Sequence, residues 1–335
     1  MRTIATLILL VVLVPAVGAA TVPSRSFAAP GRLAGLALSG SRVAYAVEPV
    51  GAGCRAVWVW NLATGTRTKV SGRATCAIPR TSTGLGLAEV AIANRFVAWT
   101  VQTGGNTEQN ETLFAAVPGT REKVLARSHR TGDVDGVLAG SWLAHFAASS
   151  SGMFLNSWTT DRGGAVSDAM VRQVTLDGTR RYKTGEDTLF LRSASPARLA
   201  SVGADGTTVH IFRGPARHSA TVVGLRALAL DGERLVILTK PAVLDVRNPD
   251  APETPVASFP APAGAVTALA AANGVAVFAI GRTIYAESER TGKTAVLARS
   301  TRAWRFVALD SSALVYAGSQ TIHVVPFRIV RAAVA

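Results

Sequence analysis

Apolar positions in this chain alternate in short runs instead of recurring at helical spacing. The clearest run is Leu225–Thr239. Leu228 and Leu230 share one side of a strand, Asp231-Gly232 supplies a tight turn, and Leu235–Leu238 returns as a more buried strand. The unit recurs. Leu36 and Leu38 lead through Ser39-Gly40-Ser41 into Val43–Val47, then Ala56–Asn61, a Thr64-Gly65 turn and Arg67–Val70. In the second unit Val90–Ile92 and Phe96–Thr100 are followed by Gln102–Glu111, expected as a polar loop, then Leu113–Val117 and Glu122–Ala126. In the third, Val137-Leu138 is expected as first strand and Trp142–Phe146 as second. A long insertion, Ala148–Asp168, precedes Met170–Leu176 and Arg180–Thr184. A less regular fourth unit spans Leu191–Val223, the opening stretch heads the fifth, and Val266–Ala298 forms the sixth. The seventh has Phe306–Leu309, Ala313–Ala317 and Thr321–Pro326 but no clear fourth strand. No stretch after the first twenty residues shows sustained helical periodicity.

The units align on the first apolar residue of each second strand: Val43, Val97, Leu143, Leu199, Leu235, Val275 and Leu314. The later anchors recur at the roughly 40–50-residue period of propeller repeats, and the longer steps contain the insertions. A repeated four-stranded antiparallel meander, apolar on both faces so that sheets can stack around an axis, is what a β-propeller requires. The expected fold is all-β: a single propeller of four-stranded blades, seven in number, with six or eight as alternatives and two packed β-domains as a different solution. Val22–Ala29 can supply the outer strand missing from the last blade and so close the ring.

The first twenty residues stand outside this pattern. Arg2, the apolar run Ile4–Val14 and the small residues Val17–Ala20 read as a signal peptide cleaved after Ala19 or Ala20, with a retained anchor as the alternative. That leaves 21–335 as the propeller and no membrane span after cleavage. Hydrophobic residues make up 48% and charged residues 17%, which suits a folded body. The formal net charge of +14 is spread along the chain, which allows attraction to anionic envelope polymers. Export disfavours nucleic acid as a partner. Two cysteines, Cys54 and Cys76, are an even count in an exported chain and are expected to form a disulfide on the rim shared by the loops that carry them.

The motifs Leu38–Tyr45 (LSGSRVAY), Leu230–Leu235 (LDGERL) and Asn61–Gly65 (NLATG) resemble those of exported bacterial β-propeller proteins of the WD40-like and TolB-like kind. Thr81–Gly84 with Thr103–Asn106 is similar to uncharacterised exported actinobacterial propellers. The resemblance covers nearly the whole mature chain and implies the fold and a partner-binding role. The His and Trp-Asp signature of strict WD40 units is missing, as is a separate N-terminal domain of the TolB type.

Propeller loops joining strands two and three share a face with the connections between blades. Gln102–Glu111, Ala148–Asp168 and Arg80–Gly86 all fall on that face, early in the ring, and long loops on a rigid scaffold are where binding resides. Arg80, Asn106, Glu108, Trp158, Asp161 and Arg162 are the candidate binding residues. The expected function is non-enzymatic binding of an envelope protein or an anionic cell-wall polymer by an extracytoplasmic monomer. The alternative is a propeller enzyme acting at the central channel: a glycosidase, a lyase or a quinone-dependent dehydrogenase. Thr159–Gly163 matches the Asp-box turn of sialidase-like propellers only in part, and Asp133–Gly136 lacks the other oxygen ligands of a calcium loop. His145 and His323 sit among apolar residues and are expected to pack. No catalytic residues, cofactor or metal are expected, because no nucleophile elbow, zinc motif or phosphate loop is present.

Overall fold

The computed structural model describes residues 24–50, 53–78, 86–105, 107–132, 138–184 and 190–335, side chains at 183 and 184 excepted. The expected signal peptide lies outside the described residues. Strand β1 (Arg25–Ala28) precedes a first meander of β2 (Arg32–Ser39), β3 (Arg42–Glu48), β4 (Ala56–Asn61) and β5 (Arg67–Lys69), followed by a short helix α1 (Arg73–Ala77). The second meander is β6 (Leu87–Ala93), β7 (Phe96–Gly104), β8 (Glu108–Ala116) and β9 (Lys123–Gly132). The third is β10 (Leu138–Ser149), β11 (Gly152–Thr160), β12 (Val166–Thr175) and β13 (Gly178–Thr184). The fourth is β14 (Phe190–Ala194), β15 (Leu199–Val202), β16 (Thr208–Arg213) and β17 (Ala216–Thr221). The fifth is β18 (Leu225–Asp231), β19 (Arg234–Thr239), β20 (Val243–Asn248) and β21 (Ala251–Pro260). The sixth is β22 (Val266–Ala272), β23 (Val275–Ile280), β24 (Thr283–Ser288) and β25 (Thr294–Arg299). Strands β26 (Phe306–Leu309), β27 (Ala313–Ala317) and β28 (Thr321–Pro326) precede helix α2 (Phe327–Ala333).

Hydrogen bonding gathers these strands into six sheets. Five have four strands. The other has eight, because Arg130–Gly132 of β9 pair with Leu138–Gly140 of β10 and fuse the second meander to the third. The N-terminal strand fills the place that the three-stranded last unit left open: Arg25–Ala28 pairs antiparallel with Val324–Thr321 and becomes the outer strand of the last sheet. Apolar clusters straddle consecutive meanders. One joins Val57 and Val59 to Trp99 and Phe114; another joins Val315 and Ile322 of the last sheet to Tyr45 and Trp60 of the first. The core is therefore a ring of seams between sheets, which is why the strands are apolar on both faces.

Side chains reinforce the seams. Asp231, in the turn after β18, accepts the backbone N–H groups of Asn273 and Gly274 at 2.7 and 2.6 Å. Asp310 holds the N–H of Gly40 at 2.6 Å across the closure of the ring. Gly40 has φ +55°, which a β-branched residue would not adopt without strain. Thr267 reaches the Trp304 carbonyl at 2.9 Å, and the Ser193 hydroxyl accepts Leu230 N–H at 2.9 Å.

The pattern misled in three places. Gln102–Glu111 is not a loop: it holds the end of β7 and the start of β8. Ala148–Asp168 is not an insertion but the end of β10, all of β11 and the start of β12. Trp142–Phe146 consequently belongs to the first strand of the third meander, and Leu143 is one strand out of phase with the other anchors. The first two share a reason. These hairpins extend past the apolar seam, so their ends carry polar residues and lose the strand pattern. Short helices also occur where none was expected. In α2, Phe327 and Val330 are buried against β27 and β28. Cys54 and Cys76 are bonded, with Cα atoms 4.9 Å apart, and tie α1 to the β3–β4 connection.

Two outcomes are expected. Asp310→Ala should lower the thermal midpoint by about 2 °C or more, as loss of roughly 1 kcal/mol does in a domain of a few hundred residues. Glu289, fully buried beyond β24, has its pKa pushed up from 4.5 to about 8 by burial and by the adjacent Asp231, with Arg234 opposing. A raised carboxyl pKa gives stability that is complete below the unfolded value and is lost as pH rises through the folded one. Denaturant midpoints should therefore fall between about pH 4.5 and pH 8, and Glu289→Gln should flatten that slope.

Candidate functional site

The extended hairpins of β7–β8 and β10–β11–β12 rise on the face that carries the strand two-to-three turns. At their base lies a buried ion pair. Glu111 and Arg130, 0% and 1% exposed, approach to 2.8 Å. Glu111 also accepts Ser128 Oγ at 3.1 Å, Leu143 N–H at 2.9 Å and the Gln102 amide. Arg130 donates a further bond to Gln109 Oε1 at 2.9 Å. A charged pair taken out of water is tolerable only when nearly all of its polar atoms are bonded in this way. The arrangement fastens the inner strand of the third meander to the second.

From this pair a run of flat groups crosses toward the central channel. The Arg130 guanidinium sits 3.6 Å over the Trp142 ring. Trp142 stacks on Trp158 at 5.4 Å and 6°, as cross-strand partners on β10 and β11. Trp158 stacks on His145 at 6.1 Å, His145 meets Phe190 edge-on at 5.1 Å, and Arg192 lies 5.4 Å from the Phe190 ring. Trp142 is fixed by its indole N–H, which donates to Thr160 Oγ1 at 2.9 Å. Arg192 is exposed, and Trp158, His145 and Phe190 are half-buried, so the inner end of the run is open.

A backbone irregularity makes this possible. The pairing of β10 with β11 skips His145, which has φ +61°. The pairing of β14 with β15 skips Arg192, and that of β6 with β7 slips just before Glu89. Each bulge turns a side chain out of the sheet plane. The N–H groups of His145 and Phe146 are taken up by Glu89, at 3.1 and 2.8 Å. Burial raises the Glu89 pKa against the pull of those two bonds. Burial, helped by the Arg192 charge, lowers His145 to about 4, so the ring is neutral near pH 7. Its 3.7 Å approach to Glu89 is thus not an ion pair at that pH.

The expected binding residues fare unevenly. Arg80 and Asn106 lie outside the described residues. Trp158 is in the centre of the run. Glu108 starts β8, exposed, with Asn110 Nδ2 at 3.1 Å and His129 Nδ1 at 3.8 Å. Asp161 is occupied within its own hairpin, accepting Ala165 N–H at 2.8 Å, and Arg162 is exposed at that hairpin's tip. The structure joins these last two to Trp158 only through β11. His323 packs as expected, stacked on Tyr316 at 5.0 Å. His145 does more than pack. Glu89, Glu111, Arg130, Trp142, Phe190 and Arg192 were not foreseen. The available signal was a charge inside an otherwise apolar strand, as in Leu87–Ala93. Among the described residues no group of three or more His, Cys, Asp or Glu side chains could hold a metal.

No protein-family model matches the chain, and a search of curated proteins found no match. Solved structures do resemble it. A chain of the mitotic checkpoint complex superposes with a TM-score of 0.61 at 16% identity, covering 91% of this chain and 95% of that one. The computationally designed Ika8 protein gives 0.52 at 14% identity, over 89% and 97%. Saccharomyces cerevisiae Sqt1 gives 0.52 at 10%, over 91% and 99%. At these identities the likeness shows the fold alone, a β-propeller.

Glu111→Gln should destabilise the chain by about 3–5 kcal/mol, since it leaves Arg130 buried without its counter-charge. Adding Arg130→Met should recover part of that loss, which urea denaturation of the double-mutant cycle would measure.

Proposed function

We propose that this chain is an extracytoplasmic binding propeller whose extended-hairpin face takes a protein or a polymer of the cell envelope. The observation that carries the reading is the run from Arg130 to Arg192. Its inner end presents half-buried aromatic edges, a neutral imidazole and an exposed guanidinium beside a single carboxylate. Aromatic and Arg groups on a rigid base are the usual anchors of interfaces. The propeller scaffold and the net charge of +14 agree with that role. The Cys54–Cys76 bond is compatible with export, and no helix among the described residues is long and apolar enough to cross a membrane.

Catalysis at the channel is the other reading, and Glu89 with its raised pKa is the residue that invites it. Both of its oxygens are already bonded to backbone N–H groups, as a structural staple would have them. Glu111, the other nearby carboxylate, is sealed in the ion pair. This favours binding over acid–base chemistry.

The full chain should bind an envelope preparation saturably. Trp158→Ala and Arg192→Gln should each weaken that binding about tenfold or more. Unchanged affinity in both variants, measured by co-sedimentation with fractionated envelope protein and wall polymer, would remove the proposal.

A further inference from the structure

Sheets arranged around an axis splay apart toward the periphery. Between the first and second meanders α1 fills the wedge. Its Thr75 is fully buried, donating to Glu122 at 2.5 Å and accepting the Trp99 indole N–H at 3.0 Å. Between the second and third meanders the described residues include no such plug. Strands β9 and β10 pair over three residues and then diverge, leaving a cleft of about 380 Å³.

The walls of this cleft set charged and hydroxyl groups beside Trp142, Leu143, Trp158 and Met170, where the other seams are apolar. Arg127 and Ser128 come from β9, Ser141 from β10, Ser157 from β11, Arg172 from β12 and Arg181 from β13. Arg172 and Arg181 are direct cross-strand partners, a placement of like charges that opposes folding unless something lies between them. Arg172 is oriented by one bond, from its Nε to Ser157 Oγ at 2.7 Å, which turns its remaining N–H groups free of that contact. Among the described residues no carboxylate forms an ion pair with Arg127, Arg172 or Arg181, although Asp168 also lines the cleft.

We propose that this cleft binds an oxyanion, the sulfate or phosphate group of a free ion or of a substituted saccharide. Guanidinium forks match tetrahedral oxyanions in geometry and charge, and an anion between Arg172 and Arg181 turns their repulsion into attraction. The exposed Ser141 hydroxyl, which accepts His129 N–H, keeps its own proton to donate to whatever the anion is attached to. The cleft shares Trp142 and Trp158 with the aromatic run, but His145, Phe190 and Arg192 lie outside its lining, so an anion held there does not rest on the binding function proposed above.

Calorimetric titration of the full chain with inorganic phosphate and with inorganic sulfate, at constant ionic strength against chloride, tests it. Saturable binding of either ion is expected. Arg172→Gln and Arg181→Gln should each weaken it about tenfold, the worth of one charge-assisted bond. Arg192→Gln, at the end of the run that does not line the cleft, should leave it unchanged, which separates this site from the other. Because Arg181 is exposed and its neighbour carries the same charge, Arg181→Gln should melt no lower than the parent without ligand. Dextran sulfate against uncharged dextran distinguishes the sources: tighter binding per sulfate than the free ion supports a polymer-borne group, and equal binding supports a free one. No saturable binding of phosphate, sulfate or dextran sulfate, or affinity retained in both arginine variants, overturns the proposal.

Discussion

The innermost strand of a propeller sheet has a free edge, and its bulges release further N–H groups that water reaches poorly. In this chain those groups are answered by side chains of the preceding meander. Glu48 takes Leu87 N–H at 2.6 Å, Glu111 takes Leu143, Glu89 takes His145 and Phe146, and Asn156 takes Leu191 at 2.5 Å. Orphaned donors near a core are costly, so each oxygen fixes both the position and the rotation of the next sheet. Apolar seams give the sheets their adhesion. These directional bonds give them their register.

That division explains where unusual chemistry can accumulate. Where a staple is a carboxylate, a charge must enter the seam, and the seam must become polar around it. Glu111 draws in Arg130, Ser128 and Gln102; Arg130 in turn needs a flat neighbour, and Trp142 supplies it. The aromatic run follows from that acid, Glu111 in β8, and the neutral His145 from burial and the Arg192 charge at the run's inner end. Lengthening β7 to β12 beyond the apolar seam is the other half. It lets β9 reach β10 and joins two sheets into one, so the candidate surface rests on a continuous hydrogen-bonded base instead of on separate loops.

Much of the fold was legible because alternation and turn chemistry repeat. Leu228, Leu230, Asp231-Gly232 and Leu235 read the same way in the sequence and in space. The closing strand could be inferred because one unit was short of a strand. What failed was the reading of polarity. Gln102–Glu111 looked like a loop because its residues are polar, yet its hairpin is held by its ladder and by the bonds that Glu111 makes. Leu143 was misphased for the opposite reason: β10 is twelve residues long, and its interior looked like a second strand. Of the site, Trp158 was legible and its neighbours were not, because bulge positions such as His145 and Arg192 break the two-residue alternation that sequence reading depends on.

The two polar seams differ in a way that composition hides. Around Glu111 every charge has a counter-charge within bonding distance, so removing water costs little more than the pair itself. In the adjoining cleft the positive charges of Arg127, Arg172 and Arg181 outnumber the one carboxylate that shares their walls. Such an excess is tolerable only while solvent or an anion reaches it, so the cleft has to stay open. A helix like α1 could not plug it without stranding those guanidinium groups. The wedge that is closed between the first two meanders is therefore kept accessible between the next two by charge, along the same fused sheet that carries the aromatic run and against two of its rings, Trp142 and Trp158.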